Sequence, residues 1–186
     1  MKKKAFALFL ALALVVGGVV GGTVAWLTAK TDSVVNTFTV GDINIELTET
    51  TPENQQAKMV PGNTIKKNPT VTVKKDSEAC WLFVKVEESE NLSQFIEYSV
   101  ITGENGWTAL DGVAGVYYRE VPATTADVSF AVLTGDTVKV KDAVTKTMME
   151  GLKAEGATQP TLTFTAYAVQ KDNVADAAAA WAKVTP

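Results

Sequence analysis

The residue types that carry most enzyme chemistry are scarce in this 186-residue chain, which contains no histidine and a single cysteine, Cys80. Without histidine there is no Ser-His-Asp or Cys-His arrangement, no histidine-ligated zinc and no HExxH metallopeptidase site. One cysteine cannot form an internal disulfide or a four-cysteine metal site. We therefore predict that the chain is not an enzyme and that it uses no cofactor or metal ion.

Cys80 opens the run CWLFVKV (80–86), the most apolar candidate strand of the chain. A thiol among such neighbours behaves as a small hydrophobic group. A nucleophilic role would require a base, and in a chain without histidine only a lysine or a carboxylate could serve. We interpret Cys80 as a core residue.

Three acidic motifs could bind cations, but each also has an ordinary structural interpretation. Asp111-Gly112 and Gly135-Asp136 could belong to calcium-binding loops, but neither has the oxygen spacing of an EF-hand, and ordinary turns are the preferred interpretation. Glu87-Glu88-x-Glu90 could attract cations, whereas a solvated strand end is the default interpretation.

Aromatic residues provide one further candidate site. Trp107, Tyr117 and Tyr118 could form a platform on which a carbohydrate stacks. The same residues could equally pack within a sheet, since aromatic side chains favour strands. The sequence alone does not separate these two interpretations.

Charge is unevenly distributed along the chain. The formal net charge is −4, from 17 Lys+Arg and 21 Asp+Glu, and Lys2, Lys3 and Lys4 precede every acidic residue. Removing those three lysines leaves 14 basic against 21 acidic side chains, a net charge of −7. The only arginine is Arg119, whereas phosphate binding requires clustered cations. Nucleic acid is therefore not an expected partner.

The first 25 residues have the layout of a secretory signal peptide. Basic residues at 2–4 precede an uncharged apolar run over 5–20, and Thr23-Val24-Ala25 provides a small-x-Ala site before Trp26. We predict a signal helix with cleavage between Ala25 and Trp26. The apolar run exceeds a typical signal in length, so an uncleaved membrane anchor is the alternative, against which the paired glycines near its end argue.

Short alternating segments separated by turn residues predict an all-β fold after the signal. The candidate strands are 38–47 (with a bulge at Gly41), 71–73, 80–86, 95–101, 107–110, 116–121, 127–133, 137–140 and 162–169. The nearly continuous apolar run at 80–86 is typical of a central strand covered on both faces. This spacing predicts a jelly-roll-like β-sandwich over 38–186 rather than βαβ units.

Two segments have helical patterns instead. Apolar residues at helical spacing predict a helix over 142–154 with Asp142 as its N-cap. An alanine-rich stretch predicts a second helix over 173–183, capped by Asn173 and docked on the sandwich by Trp181. Both are interpreted as packing features.

Several segments occur in a characteristic order. They are TVAWLTAKTDSVVNTFTVGDINIELTE, PGNTIKKNPTVTV, CWLFVKV, and LTFTAYAVQ followed by AAAAWAKV. The most specific combination is Phe38-x-Val40-Gly41-x-Ile43-x-Ile45-x-Leu47 with Pro61-Gly62 and Tyr167-Ala168-Val169-Gln170. In this order, behind a signal peptide, the chain resembles the TasA/camelysin family of exported proteins.

The resemblance implies a jelly-roll sandwich that a dedicated signal peptidase of the SipW type processes. It further implies secretion to the cell surface or biofilm matrix. Relatives assemble into fibres by donor-strand complementation, in which the N-terminal segment of one subunit completes a sheet of the next. The camelysin name implies a metal-dependent peptidase, and the missing histidines argue against that activity here.

The residues after the cleavage site also favour a donor strand. The leader 26–37 begins with the apolar pair Trp26-Leu27, contains no proline or glycine, and includes Val34 and Val35. An exposed strand-forming tail of this kind is a liability unless it pairs with something. Pairing with a neighbour would bury Trp26, Leu27, Val34 or Val35. The alternatives are a first strand within the same chain or a disordered leader.

The sequence therefore predicts a secreted structural subunit with a signal peptide (1–25), a leader (26–37) and a β-sandwich (38–186). Its expected partners are further copies of itself in a head-to-tail polymer, the signal peptidase, and components of the matrix or cell surface. The alternative is a monomeric, adhesin-like surface module, and a camelysin-type metallopeptidase is the least favoured function.

Overall fold

The structure, a computed structural model, describes residues 42–49 and 59–184. This part of the chain is an antiparallel β-sandwich with short helices, which confirms the predicted all-β fold. The strands are β1 Ile45–Thr48, β2 Thr64–Lys66, β3 Thr70–Val73, β4 Cys80–Glu88, β5 Ile96–Glu97, β6 Thr108–Ala109, β7 Val116–Val121, β8 Val128–Ala131, β9 Thr137–Val140 and β10 Leu162–Gln170. The helices are α1 Leu92–Phe95, α2 Lys146–Gly151 and α3 Ala177–Val184. The predicted signal helix lies outside the described residues.

Two layers form the sandwich. One layer contains two three-stranded sheets, ordered β1-β3-β8 and β2-β9-β5. One backbone hydrogen bond extends the ladder of β2 with β9, from Lys67 N to Asp136 O (2.8 Å), and another extends the ladder of β3 with β8, from Val132 N to Pro69 O (3.0 Å). The other layer is a four-stranded sheet, ordered β10-β4-β7-β6.

The alternation of side chains along β4 produces two cores. Leu82 and Val84 belong to the cluster between the layers, where they join Val71 and Val73 of β3. Trp81 and Phe83 point to the opposite face, which α3 covers. The predicted central strand at 80–86 is therefore confirmed, since both of its faces are covered.

Trp181 docks α3 on the sheet, as predicted from the sequence. Its ring centroid lies 5.2 Å from that of Phe83 and 5.3 Å from that of Tyr167. The alanines on the same side of α3, Ala177 and Ala180, are buried with it. Small residues let the helix approach the sheet closely, and the large indole then fills the remaining space.

The predicted strand over 95–101 is only partly present. Phe95 ends α1, and β5 covers Ile96–Glu97 alone. The chain rejoins the first layer at Val100, which forms an isolated bridge with Leu133. The apolar pattern correctly indicated that this segment packs on the core, but such a pattern does not report where the hydrogen-bond ladder is interrupted.

Both predicted helix caps are wrong. Thr145, not Asp142, caps α2, and its Oγ1 accepts from Met148 N at 3.2 Å. Asp142 instead accepts from Lys139 Nζ at 2.8 Å. Asn173 has a left-handed φ of 62°, and Asp176 Oδ1 accepts from Ala179 N at 2.7 Å near the start of α3. Both helices consequently begin four residues after the predicted caps.

The predicted strand over 38–47 is described only from residue 42 onwards. Ile43 precedes β1, and Ile43, Ile45 and Leu47 all pack against the core between the layers. The predicted bulge at Gly41 lies outside the described residues.

Candidate functional site: a groove beside an edge strand

A groove of about 970 Å³ opens between the two layers. It lies where β1 and β2 of one layer face the start of β10 in the other layer. Its apolar lining includes Leu47, Met59, Ile65, Leu92, Leu162 and Phe164. Val60, next to Met59, is 48% exposed. These apolar groups remain in contact with water, and a further apolar segment that covered them would be stabilised by the hydrophobic effect.

The charged groups that line the groove neutralise each other. Lys67 Nζ lies 3.0 Å and 2.8 Å from the two carboxylate oxygens of Glu49, and the side chains are 16% and 19% exposed. The same ammonium lies 5.6 Å from the ring centroid of Phe164 across the groove. Lys67 therefore already has a carboxylate and an aromatic partner, so the groove needs no charge from a ligand.

β10 forms the edge of its sheet beside this groove. In the described part of the chain it pairs only with β4, in a register from Leu162↔Glu88 to Gln170↔Cys80. Just outside the two ends of this ladder, Ser89 N donates to Thr161 O (3.0 Å) and Lys171 N donates to Ala79 O (2.8 Å). Because hydrogen bonding alternates along an antiparallel strand, the odd-numbered residues of β10 bond to β4.

The even-numbered residues of β10 consequently direct their backbone N–H and C=O groups to the outer edge. These residues are Leu162, Phe164, Ala166, Ala168 and Gln170. The side chains of the first four pack against the core between the layers. An added strand on this edge would therefore place alternate side chains in the space between the two layers.

The sequence of β10 itself carries none of the usual protection against strand addition. Its nine residues, LTFTAYAVQ, contain no charge, no proline and no glycine. Natural edges are usually shortened, charged, bulged or covered to prevent pairing. The edge strand β1 illustrates this protection, since it has four residues and carries Glu46, which pairs with Lys74 at 2.5 Å. In the described part of the chain, the long uncharged edge of β10 is compatible with the addition of a partner strand.

The residues that the sequence assigned to cleavage and to strand donation lie outside the described part of the chain. They are Thr23, Ala25 and Trp26 at the cleavage site, and Trp26, Leu27, Val34 and Val35 in the leader. The groove and the β10 edge were not predicted as a site. The available signal was the uncharged run at 162–170, which was interpreted only as a strand.

Cys80 is a core residue, as predicted. It is 0% exposed and packs between the layers. Burial raises the pKa of its thiol to about 11, because the thiolate would be poorly solvated there. The thiol therefore stays protonated and unreactive in the folded protein at neutral pH.

The carbohydrate platform suggested for the aromatic residues does not form. Trp107 is 1% exposed, and its indole N–H donates to Ala131 O at 2.9 Å. Tyr117 packs against the core between the layers, whereas Tyr118 packs on the opposite face of the sheet with Phe83. Successive strand residues point to opposite faces, so these rings cannot share one surface.

The acidic motifs have the structural roles that were preferred for them. Asp111-Gly112 lies in a turn and Gly135-Asp136 in the short 3-10 helix Thr134–Asp136, with left-handed φ at Gly112, Gly135 and Asp136. The acidic run 87–90 is exposed at the end of β4, where Glu87 pairs with Lys85 (2.7 Å) and Glu88 accepts from Tyr98 OH (2.5 Å). Across residues 42–49 and 59–184, no group of three or more Asp, Glu or Cys side chains could hold a metal ion.

The Arg119 side chain packs on two aromatic rings. Its guanidinium carbon lies 3.7 Å from the ring centroid of Phe130 and 5.7 Å from that of Trp107. Its Nε is buried without a hydrogen-bond partner, and burial lowers the pKa of the side chain. The single arginine of the chain thus stacks on aromatic rings at one side of the sandwich.

Over residues 42–49 and 59–184, the fold and the groove together define an antiparallel β-sandwich in which the edge strand β10 pairs only with β4. No family model matches this chain, and neither a curated protein nor a solved structure matches it. None of the helices described in the structure is long and apolar enough to cross a membrane.

Proposed function

We propose that this chain is an exported structural protein of the TasA/camelysin type that polymerises by strand donation. The leader 26–37 of one copy adds to the outer edge of β10 in the next copy and fills the adjacent groove. The observation that carries the proposal is the nine-residue uncharged edge of β10 beside an apolar opening between the layers.

The dimensions of donor and acceptor are compatible. At about 3.4 Å per residue, a nine-residue edge such as β10 spans about 30 Å. The leader 26–37 is long enough to follow the whole edge, and its lack of proline leaves every backbone N–H available for the ladder. Main-chain hydrogen bonds would supply affinity, and side chains entering the groove would supply specificity.

The geometry leads to a filament rather than a closed dimer. The donor is the N-terminal leader and the acceptor is the edge of β10, so the two contacting surfaces differ. A contact between different surfaces is heterologous, and it leaves one free donor and one free acceptor at the ends of every assembly. Successive additions then extend the chain of subunits.

Export and cleavage supply the control of assembly in this proposal. The predicted signal holds the leader at the membrane until a signal peptidase of the SipW type cuts before Trp26. The released leader is then free to reach a neighbouring copy at the cell surface or in the extracellular matrix. The role is structural, without catalysis, cofactor or metal.

The test compares the chain beginning at Trp26 with a chain beginning at Phe38. We expect the longer chain to form fibres in negative-stain electron microscopy and to sediment as polymers, while the shorter chain sediments as a monomer. Thermal unfolding of the shorter chain serves as the control that its sandwich is folded. Equal polymerisation of both chains would refute strand donation by the leader.

A monomeric form of the longer chain would also overturn the proposal. In that case tryptophan fluorescence shifts on addition of glycans or surface proteins would favour the adhesin-like alternative. Chelator-sensitive casein hydrolysis would instead favour the peptidase.

A further inference from the structure

The leader has two chemically different faces if it pairs as a strand. Successive side chains of a strand alternate between faces, so odd-numbered and even-numbered residues separate. The odd-numbered face consists of Leu27, Ala29, Thr31, Ser33 and Val35. The even-numbered face consists of Trp26, Thr28, Lys30, Asp32 and Val34. Both formal charges of this stretch therefore lie on the same face.

The space beside β10 favours a neutral face. Among the described residues, Lys67 and Glu49 are the charged groups that line it, and they already pair with each other through two short contacts. A lysine or aspartate brought into this opening would lose its water without gaining a free partner of opposite charge. Buried hydroxyl groups such as those of threonine and serine cost far less than a buried unpaired charge.

At the start of β10 the outer face of the same sheet is solvated, whereas α3 covers this face around Tyr167 and Val169. Thr163, on the outer face of β10, is exposed and lies opposite Glu87 in the ladder. Glu87 pairs with Lys85 at 2.7 Å, and these side chains are 51% and 36% exposed. Charges placed along this part of the sheet keep their hydration.

We infer that the odd-numbered, neutral face of the leader enters the groove and that Lys30 and Asp32 remain outside in solvent. This inference rests on the proposed function and assigns the residues that determine specificity within it. It separates the four apolar leader residues, since Leu27 and Val35 enter the groove while Trp26 and Val34 lie on the outer face. Side chains of the inner face then meet the even-numbered residues of β10.

Two threonines three positions apart allow a matched test. Thr31→Asp places a carboxylate on the inner face, whereas Thr28→Asp places the same carboxylate on the outer face of the same strand. Thr31→Asn is the neutral control, because asparagine has nearly the shape of aspartate but carries no charge. Each variant is made in the chain that begins at Trp26, and the critical concentration for polymerisation is measured by sedimentation.

We expect Thr31→Asp to raise the critical concentration by at least about 100-fold, because a buried carboxylate loses its hydration without a partner. Thr28→Asp and Thr31→Asn should change it by less than about 5-fold, since an exposed charge and a neutral isostere both avoid that cost. Circular dichroism and thermal unfolding of each monomer verify that the sandwich itself is unchanged.

The outcomes distinguish this inference from the proposed function. If Thr28→Asp blocks polymerisation and Thr31→Asp does not, the assignment of faces is wrong although strand donation stands. Equal effects of the two aspartates, whether both tolerated or both disruptive, also overturn the assignment. If the unsubstituted chain does not polymerise, the proposed function itself fails.

Discussion

A proline at residue 166 of β10 tests the acceptor edge directly. Ala166 is one of the even-numbered residues whose N–H points away from β4, so Ala166→Pro removes a donor that the edge would offer to an incoming strand. The ladder between β10 and β4 does not use this N–H. Proline is tolerated on an edge strand in this orientation, so the monomer should keep its fold.

The expected magnitude follows from the lost hydrogen bond. The substitution leaves one carbonyl of the incoming strand unsatisfied in a buried interface, which costs about 1–3 kcal/mol. Since each 1.4 kcal/mol corresponds to about a tenfold change, the critical concentration for polymerisation should rise by about 5- to 150-fold. The proline ring also occupies the space that the paired strand requires, which adds to the effect.

The opposite side of the sandwich provides a matched control. Ala131 ends β8, which is an edge strand of its own sheet. Lys74 N donates to Asn44 O, so the even-numbered residues of β3 face β1 and Ala131 directs its N–H away from β3. Ala131→Pro removes an outward N–H in the same way, on an edge where the carbonyl of Ala131 accepts from the Trp107 indole. We expect the folded variant to leave polymerisation unchanged.

The assay measures polymer by sedimentation and fibre morphology by electron microscopy, with thermal unfolding of each variant as the folding control. A folded Ala166→Pro chain that polymerises like the parent would show that β10 is not the acceptor edge. Loss of polymer in both proline variants would show that the effect is not specific to β10.

Further predictions concern the two cores. Cys80 should resist alkylation until the protein is denatured. Because burial raises the pKa of its thiol from 9.0 to about 11, stability should fall as the pH rises from 9 to 11, where the unfolded chain loses this proton first. Denaturant titrations across this range measure the loss, which should be smaller in a Cys80→Ala chain, where Tyr98, whose pKa burial also raises, still contributes. Trp181→Ala should lower the free energy of unfolding by about 3–5 kcal/mol, because the indole fills the space between Phe83 and Tyr167. Lys183→Ala, at an exposed position of the same helix, should alter the free energy of unfolding by less than about 0.5 kcal/mol. If Trp181→Ala had an effect as small as this, it would contradict a stabilising role of Trp181 in the docking of α3.

The sequence predicted strands well where the apolar residues of the strand itself indicate which of its faces are buried. The apolar run at 80–86 indicated coverage on both faces, and the segments 116–121 and 137–140 coincide with β7 and β9. Helix starts were less predictable. Asp142 and Asn173 are good caps by residue type, but Thr145 and Asp176 make the capping hydrogen bonds because the chain reaches helical geometry only after an intervening turn.

Composition and spacing alone determined two properties of this chain. It lacks the residues for histidine-based chemistry, and its apolar and polar residues alternate as the strands of a β-sandwich require. Tertiary structure decided that Trp107 is buried and that the edge of β10 meets an apolar groove. The physical reason is that a residue's own side chain governs its preference for water, whereas the partners of its backbone depend on which distant strands pair. A run such as 162–170 has the same sequence pattern whether it lies in the middle of a sheet or at its edge.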